Sequence, residues 1–387
     1  MQKKLIALAI AGLSSAAFAQ TNVTIYGVAD GTFDYIKVSS NNAVGGVGNP
    51  SNTRVTSNGS HLGFKGTENL GNGMKAIFQF ESEVNFDSGA ALGLNRDSFV
   101  GLNGSFGQVT LGTQTGPTNA LGGRLDVNSG DTIMSNTAVL GKLGGAYATV
   151  GPKGTQFASG SVFDTRFKNS IQYVSPSFSG LQAMAMYVAN ENKSEATFGK
   201  INSSAYDLGV NYENGPVFVG ATYARISEKN DAFAPVGLSG ILLGDNQVAK
   251  EMRIAGIYDF GMATVRALYA RTKLDVDGFE AKQNVWGIGG TYNVSPNGKL
   301  VAQYYKAADL DSSVGPDDNT GAKFYTIGYE HSLSKRTMLK AGYAYLKNDN
   351  ATFTNGAGGY DFGYNSVGVT GDNVKLSGFQ FGMRHAF

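Results

Sequence analysis

The sequence predicts an all-β fold, a sixteen-stranded antiparallel transmembrane β-barrel, and three observations carry that expectation. Residues alternate between apolar and polar along most of the chain. Short and long connections alternate between these segments. The chain also stops on an alternating segment, "SGFQFGMRHAF", whose last residue is aromatic. Frayed, solvated termini are seldom built that way.

The elements can be taken in order. "MQKKLIALAIAGLSSAAFA" has a basic start at Lys3 and Lys4, an apolar stretch from Leu5 to Leu13 and a small-x-small exit at Ala17-Phe18-Ala19. This is the pattern of a cleaved secretory signal over residues 1–19; a membrane-anchoring helix would need a longer apolar run. Residues 20–387 then form one barrel domain. The 31 basic and 30 acidic residues become 29 and 30 once Lys3 and Lys4 are removed, so no global charge favours nucleic acid. An exported chain without Cys must rest on its backbone ladder and buried surface. No window past residue 19 approaches the ~20 apolar residues of a spanning helix.

Period two is plain in three stretches. Val23, Ile25, Gly27, Ala29 and Phe33 oppose Thr24, Tyr26, Asp30 and Asp34; Met74, Ala76, Phe78 and Phe80 oppose Lys75, Gln79, Glu81 and Glu83; Tyr206, Leu208, Val210 and Tyr212 oppose Asp207, Gly209, Asn211 and Glu213. A soluble sandwich would alternate in the same way. The connections separate the two. Short turns fall at 66–73, 103–107, 175–179, 213–216, 259–262, 295–298 and 332–335. Long polar stretches fall at 37–53, 87–94, 115–165, 191–204, 228–248, 275–281, 308–321 and 348–374. Seven short and eight long connections in strict alternation give sixteen strands with both termini at the short-turn end, the asymmetry of an outer-membrane barrel with periplasmic turns and long outer loops. Tyr and Phe crowd the strand ends in "YYK", "GYAY" and "IGYEH", as interfacial girdles do. Sixteen strands enclose a lumen too wide for side chains to fill, so the polar face should line water. Barrel closure explains the terminal aromatic: the last strand pairs with the first, at "NVTIYGV", and shows Phe379, Phe381 and Phe387 to lipid.

"VTIYGVAD", "GSHLGFKGTENLGNGMKAIFQFES", "NRDSFVGL", "FGQVTLGTQ", "KNSIQYVSPSFSG" and "GMRHAF", in that order and spacing, resemble the general trimeric porins of Gram-negative bacteria, of the beta-proteobacterial type. The resemblance spans essentially the whole mature chain. It implies passive diffusion of ions and small hydrophilic solutes, a homotrimer in the outer membrane among lipid and lipopolysaccharide, recognition of the C-terminal Phe by the barrel assembly machinery, and a third loop folded into the pore. Residues 115–165 suit that loop, being far longer than the ~15 residues beyond which structureless loops are uncommon; an external lid is the alternative.

Parity then assigns the pore wall. Beside outward Phe167, Ile171 and Tyr173, the side chains of Arg166, Lys168, Ser170 and Gln172 face water. Arg96 and Ser98 turn inward beside Phe99, as do His61 and Lys65 beside Leu62 and Phe64. Glu81, Arg96, Arg166 and Lys168 lie about seven to nine residues in from the short turns, a mid-pore height. Asp126 and Asp131 of the third loop could face this basic wall and, with Glu81, set a transverse field against Arg96, Arg166 and Lys168. The same charges could simply be solvated. Relatives commonly carry Arg where this chain has His61 and Thr113, so an anion preference does not transfer directly. His61 could respond to pH or serve as a neutral hydrogen-bonding group. His61, His331 and His385 are scattered without metal-ligand spacing, and no nucleophile–base pair or nucleotide motif is present, so neither enzyme activity nor a cofactor or metal is expected. "DLDSSVGPDDN" lacks the glycine and closing Glu of a calcium loop and reads as an outer loop. A substrate-specific channel, and more remotely a barrel adhesin or outer-membrane hydrolase, are the other readings.

Overall fold

The computed structural model describes residues 22–39, 51–130, 132–143, 163–190, 201–230, 246–276, 278–313, 315–349, 360, 362 and 374–387. The expected signal segment lies outside the described residues, as do Asp131 and the middle of the third loop. The first half of the wall contains β1 (Asn22–Ser39), β2 (Ser51–Ser57), β3 (His61–Gly71), β4 (Met74–Glu83), β5 (Ser98–Gly104), β6 (Gly107–Thr115), β7 (Arg166–Val174), β8 (Leu181–Val188) and β9 (Ile201–Asn214). The second contains β10 (Val217–Asn230), β11 (Asn246–Asp259), β12 (Ala263–Val276), β13 (Phe279–Asn293), β14 (Gly298–Ala307), β15 (Leu310–Ser312), β16 (Gly315–Asp317), β17 (Ala322–Ser332), β18 (Thr337–Asn348) and β19 (Lys375–Ala386).

These segments make sixteen wall strands. β2 and β3 both pair with β1 and are one strand broken at 58–60. There Asn58 N–H and the Ser60 hydroxyl donate to the Asp30 carbonyl at 2.8 and 3.0 Å, while Asp30 N–H donates to Ser60 Oγ at 2.9 Å. β15 and β16 form a small hairpin within the connection from β14 to β17, and those two wall strands pair directly. Every neighbour is antiparallel, and β1 with β19 closes the ring. At the first short turn Asn72 and Gly73 take φ values of 50° and 76°, the left-handed pair that a two-residue hairpin requires and Asn-Gly supplies. One connection departs from expectation. The stretch 275–281 is not a long loop, because β12 and β13 continue until Val276 opposes Phe279.

Closure differs in register from the simplest expectation. β19 pairs with Val28–Ser39 of β1, while Asn22–Val28 turns to the other side and pairs with β3. The stagger that closes a barrel slides the last strand up the first. Phe387 still ends in the ladder: its N–H donates to the Gly27 carbonyl at 3.0 Å and its carbonyl accepts from Gly27 N–H at 3.2 Å. Phe379, Phe381 and Phe387 are at least half exposed on the outer face, alongside Val23, Ile25, Val100, Leu111, Ile254 and Ile327. Higher on that face Trp286, Tyr304, Tyr325 and Tyr345 form a row with centroids 5.1, 4.8 and 6.2 Å apart. An apolar band with an aromatic margin is what strands present to a bilayer.

The interior is less uniform than alternation suggests. The lumen face carries water-compatible groups along β3–β6, but Ile36, Val38, Val285, Phe324, Leu346 and Leu376 are buried on that same face higher in the barrel. They pack against Ile133, Met134, Val139 and Leu140 of the third loop and against Tyr360 and Phe362 from the last connection. Part of the lumen is thus a dry core. A wide barrel is filled by its own loops where the wall gives them apolar surface to cover.

Candidate pore and constriction

The third loop leaves β6 at Thr115 and enters the barrel as α1 (Pro117–Leu125). Pro117 at the first helical position costs nothing, since its missing N–H would be unpaired there. Wall side chains take over that end: Asp207 of β9 accepts from Thr118 N–H at 2.9 Å and from its hydroxyl at 2.7 Å. Arg253 of β11, fully buried, holds both legs of the loop. It donates to the Thr118 carbonyl at 3.0 Å and, at 2.6 Å from each terminal nitrogen, to the two oxygens of Asp164 on the returning leg; its Nε meets Glu251. A Cβ at Gly122 would run into the Arg253 guanidinium and force it to shift.

Beyond α1 the loop follows the inner wall. Val127 N–H reaches Gln303 of β14, Ser129 N–H reaches Glu330 of β17 at 3.1 Å, and Lys340 of β18 donates to the Ser129 carbonyl at 3.1 Å. Lys340 and Arg384 both bind Asp30 of β1, at 2.6 and 3.0 Å. Met134 lies against Gly328 and Gly342, and Ile133 against Gly378. Among the described residues the loop therefore covers the wall from β9 to β19 and leaves β3–β6 bare. Along that bare wall runs a cavity of about 500 Å³, lined by Asn22, Thr24, Lys65–Thr67, Asn69, Lys75, Ile77–Gln79, Phe99 and Gln108.

The expected site residues divide accordingly. His61 and Lys65 lie on the lumen face; Lys65 Nζ sits 4.8 Å from the Tyr26 ring centroid, and His61 meets that ring edge-on with Nδ1 2.9 Å from the Gly59 carbonyl. Glu81 also faces the lumen, but it shares a wall with Arg96, which ion-pairs with it while Tyr26 donates to its other oxygen at 3.0 Å. The two charges do not oppose each other across the pore. Arg96 reaches the lumen from the residues before β5; within that strand Phe99 pairs with Gln79 and faces inward, and Ser98 lies on the alternate register. This reverses the expected parity of Ser98 and Phe99, because the strand begins after Arg96 and the alternation cannot be carried through the preceding loop.

The other basic pair is displaced by a bulge. Gly112 opposes Ser170 but Gln114 opposes Phe167, so Phe167 and Ser170 both point inward and Lys168 and Asn169 form the extra step, Asn169 at φ 53°. Phe167 is buried, against expectation, and exposed Lys168 falls in the bulge between the inward positions Phe167 and Ser170. Arg166, at the end of the strand, pairs with Asp97 at 3.1 Å, and Asp97 also accepts from Thr115 N–H at 2.9 Å. Asp126 does not face the basic wall. Its carboxylate accepts from Ser135 Oγ at 2.7 Å, Asn136 N–H at 3.0 Å, Asn128 N–H at 3.1 Å and Gln303 Nε2 at 3.0 Å, and so ties the loop to itself and to β14. Burial pushes this carboxyl above the ordinary carboxylate range despite those bonds. Among the described residues no group of three or more metal-ligating side chains is assembled.

Sequence reasoning passed over Asp97 and Arg253, placed Tyr26 and Lys75 on the polar face without giving them a role, and turned Phe99 to lipid. Arg253 had a signal: in "KEMRIAG" Glu251 and Arg253 share the face opposite Met252 and Ile254. Two like-facing charges next to lipid-facing residues mark a lumen position.

A closed sixteen-stranded barrel with an apolar belt, an inward-folded third loop and a polar passage left beside it is an outer-membrane channel. Comparison with known proteins agrees. The Gram-negative porin family model matches residues 5–351, and the chain belongs to that family. It is 32% identical over its full length, and the full length of the relative, to outer membrane porin protein 32 of Delftia acidovorans. It is 34% identical to a major outer membrane protein P.IB of Neisseria meningitidis serogroup B, covering 58% of this chain and 60% of that one. Among solved structures the anion-selective porin from Comamonas acidovorans superposes with a TM-score of 0.73 at 28% identity, over 95% of this chain and all of the other. The protein is an outer-membrane porin.

Proposed function

We propose that this porin is a general-diffusion channel for small hydrophilic solutes with a preference for anions, its open route following the bare wall of β3–β6. One observation carries the reading: among the described residues the passage along that wall is lined by Lys65 and Lys75 with hydroxyl, amide and apolar groups, and by no carboxylate. Low-dielectric walls around one sign of charge focus its field on the route. The nearby acids Glu81 and Asp97 are engaged by Arg96 and Arg166. The solved relative's description as anion-selective is consistent with this, although His61 and Thr113 reduce fixed positive charge in this chain. A homotrimer, contact with lipopolysaccharide and recognition of the Phe387 end by the barrel assembly machinery belong to the same proposal and rest on the family resemblance. No catalytic step is included.

Planar-bilayer recording across a KCl gradient tests it. Large ohmic steps that close in thirds at high voltage, with a reversal potential toward that of chloride, are expected. Cation-directed reversal would overturn the selectivity, and small or absent steps from folded protein would overturn the general-diffusion reading.

A further inference from the structure

The bare wall holds one group that a passage for hydrated ions does not need. Phe99 projects to the lumen side, although its neighbours Val100 and Leu102 already supply the lipid face of β5. In the lattice of β3–β6, Lys65, Gln79, Phe99 and Gly112 stand in one cross-strand row, and Thr67, Ile77, Gly101 and Thr110 in the next. Gly101 and Gly112 bring no side chain to this face, and Phe99 is partly exposed. Ile77 is diagonal to Phe99, within the ~7–8 Å over which such neighbours interact. Lys75 lies two residues from Ile77 on the same face of β4, and Lys65 two strands from Phe99. Both lysines line the same cavity of about 500 Å³, and among the described residues neither forms an ion pair. An apolar patch with an ammonium group on either side and no carboxylate between them suits a solute with a flat apolar body and one anionic end.

We infer that the bare wall carries a subsite for aromatic carboxylates, the ring resting on Phe99 and Ile77 and the carboxylate meeting Lys75 or Lys65. This rests on the anion-preferring passage proposed above and narrows its solute class. Nothing in it requires a covalent step: the solute binds and leaves, and weak binding suits transport, since a site must release what it holds.

The test uses full-length protein in planar bilayers in KCl, with benzoate, acetate or neutral benzamide added to one side and the open-channel current recorded. Benzoate is expected to reduce the current with a saturating concentration dependence, at concentrations at least about fivefold below those at which acetate or benzamide acts. Fivefold is about 1 kcal/mol at 1.4 kcal/mol per tenfold, the size of one aromatic contact. In Phe99→Ala the gap between benzoate and acetate should close, while Phe99→Leu retains part of it; folding of each variant is read from heat-modifiable mobility in gels. In Lys75→Gln with Lys65→Gln, the block by benzoate should fall toward that by benzamide. Equal action of benzoate and acetate on the wild type, or a gap unchanged in Phe99→Ala, would overturn the subsite. If KCl reversal is anion-directed and benzoate shows no advantage, the subsite fails alone. If reversal is cation-directed, the selectivity beneath it fails as well.

Discussion

The two halves of the barrel wall follow one rule outside and different rules inside. Outward, β3–β6 present Val, Leu and Phe to lipid, and β10–β19 present Val, Leu, Ile, Phe and Tyr. Inward, β3–β6 show Lys65, Thr67, Gln79 and Gln108, whereas β10–β19 show Ala224, Ala255, Ala270, Val285, Phe324 and Leu346, all buried. Small and apolar lumen residues give the third loop a surface to settle on, and Arg253, Gln303, Glu330 and Lys340 among them hold its backbone. The position of the open route is thus decided by the lumen face of the wall as much as by the loop.

Breaking the covered side should have the largest effect. Arg253→Met removes the cation that joins both legs of the third loop and leaves Glu251 and Asp164 facing each other in a buried site. Breaking one partner of a buried ion group typically costs about 3–5 kcal/mol. The expected result is a lower thermal midpoint in detergent and a broad spread of single-channel conductances in place of one level. Next is Met134→Ala, which empties the contact between the loop and β17–β19; truncating a buried Met costs about 2–5 kcal/mol. Conductance should rise here, with a smaller loss of thermal stability. If both variants kept the native conductance, loop attachment to the covered wall would not shape the pore.

Deleting Phe387 probes the seam between the halves. It removes two backbone hydrogen bonds to Gly27, each worth about 1 kcal/mol net, and an aromatic side chain half exposed on the lipid face. A drop of about 1–3 kcal/mol in unfolding free energy is expected, read from urea titration of folded barrel in lipid vesicles.

How far the sequence could be read differs from place to place in the wall for a physical reason. Strand number, closure and lipid face follow from parity and loop length, both local properties, and so does the lumen placement of His61, Lys65 and Glu81. Parity fails wherever one residue is inserted or a loop intervenes. The bulge at Lys168–Asn169 turned Phe167 inward and Lys168 away, and the loop before β5 uncoupled Arg96 from Phe99. Pairing across the barrel was further out of reach. Nothing local to "RLDVNS" reveals that Asp126 is saturated by Ser135, Asn136, Asn128 and Gln303, because Gln303 comes from a strand far along the chain. "VTIYGVADGTFDYIKV" shows the partial case: its alternation is evident, but only closure separates the part that pairs with β3 from the part that pairs with β19.

Two substitutions sharpen the electrostatics of the bare wall. Glu81→Gln leaves Arg96 without its partner in a half-open setting, so anion permeability relative to cation should rise. The rise should stay below about fivefold, the effect of roughly 1 kcal/mol for a unit charge close by in a water-like medium. Lys168→Ala should do least. Strand parity alone puts this lysine beside Arg166 on the pore wall, where loss of a fixed cation would lower anion preference. The bulge puts it outside, between inward Phe167 and Ser170. An unchanged reversal potential in Lys168→Ala, set against a clear shift in Lys65→Ala measured in the same bilayers, would separate the two placements. A shift as large as that of Lys65→Ala would return Lys168 to the lumen and undo the outward placement that the bulge implies.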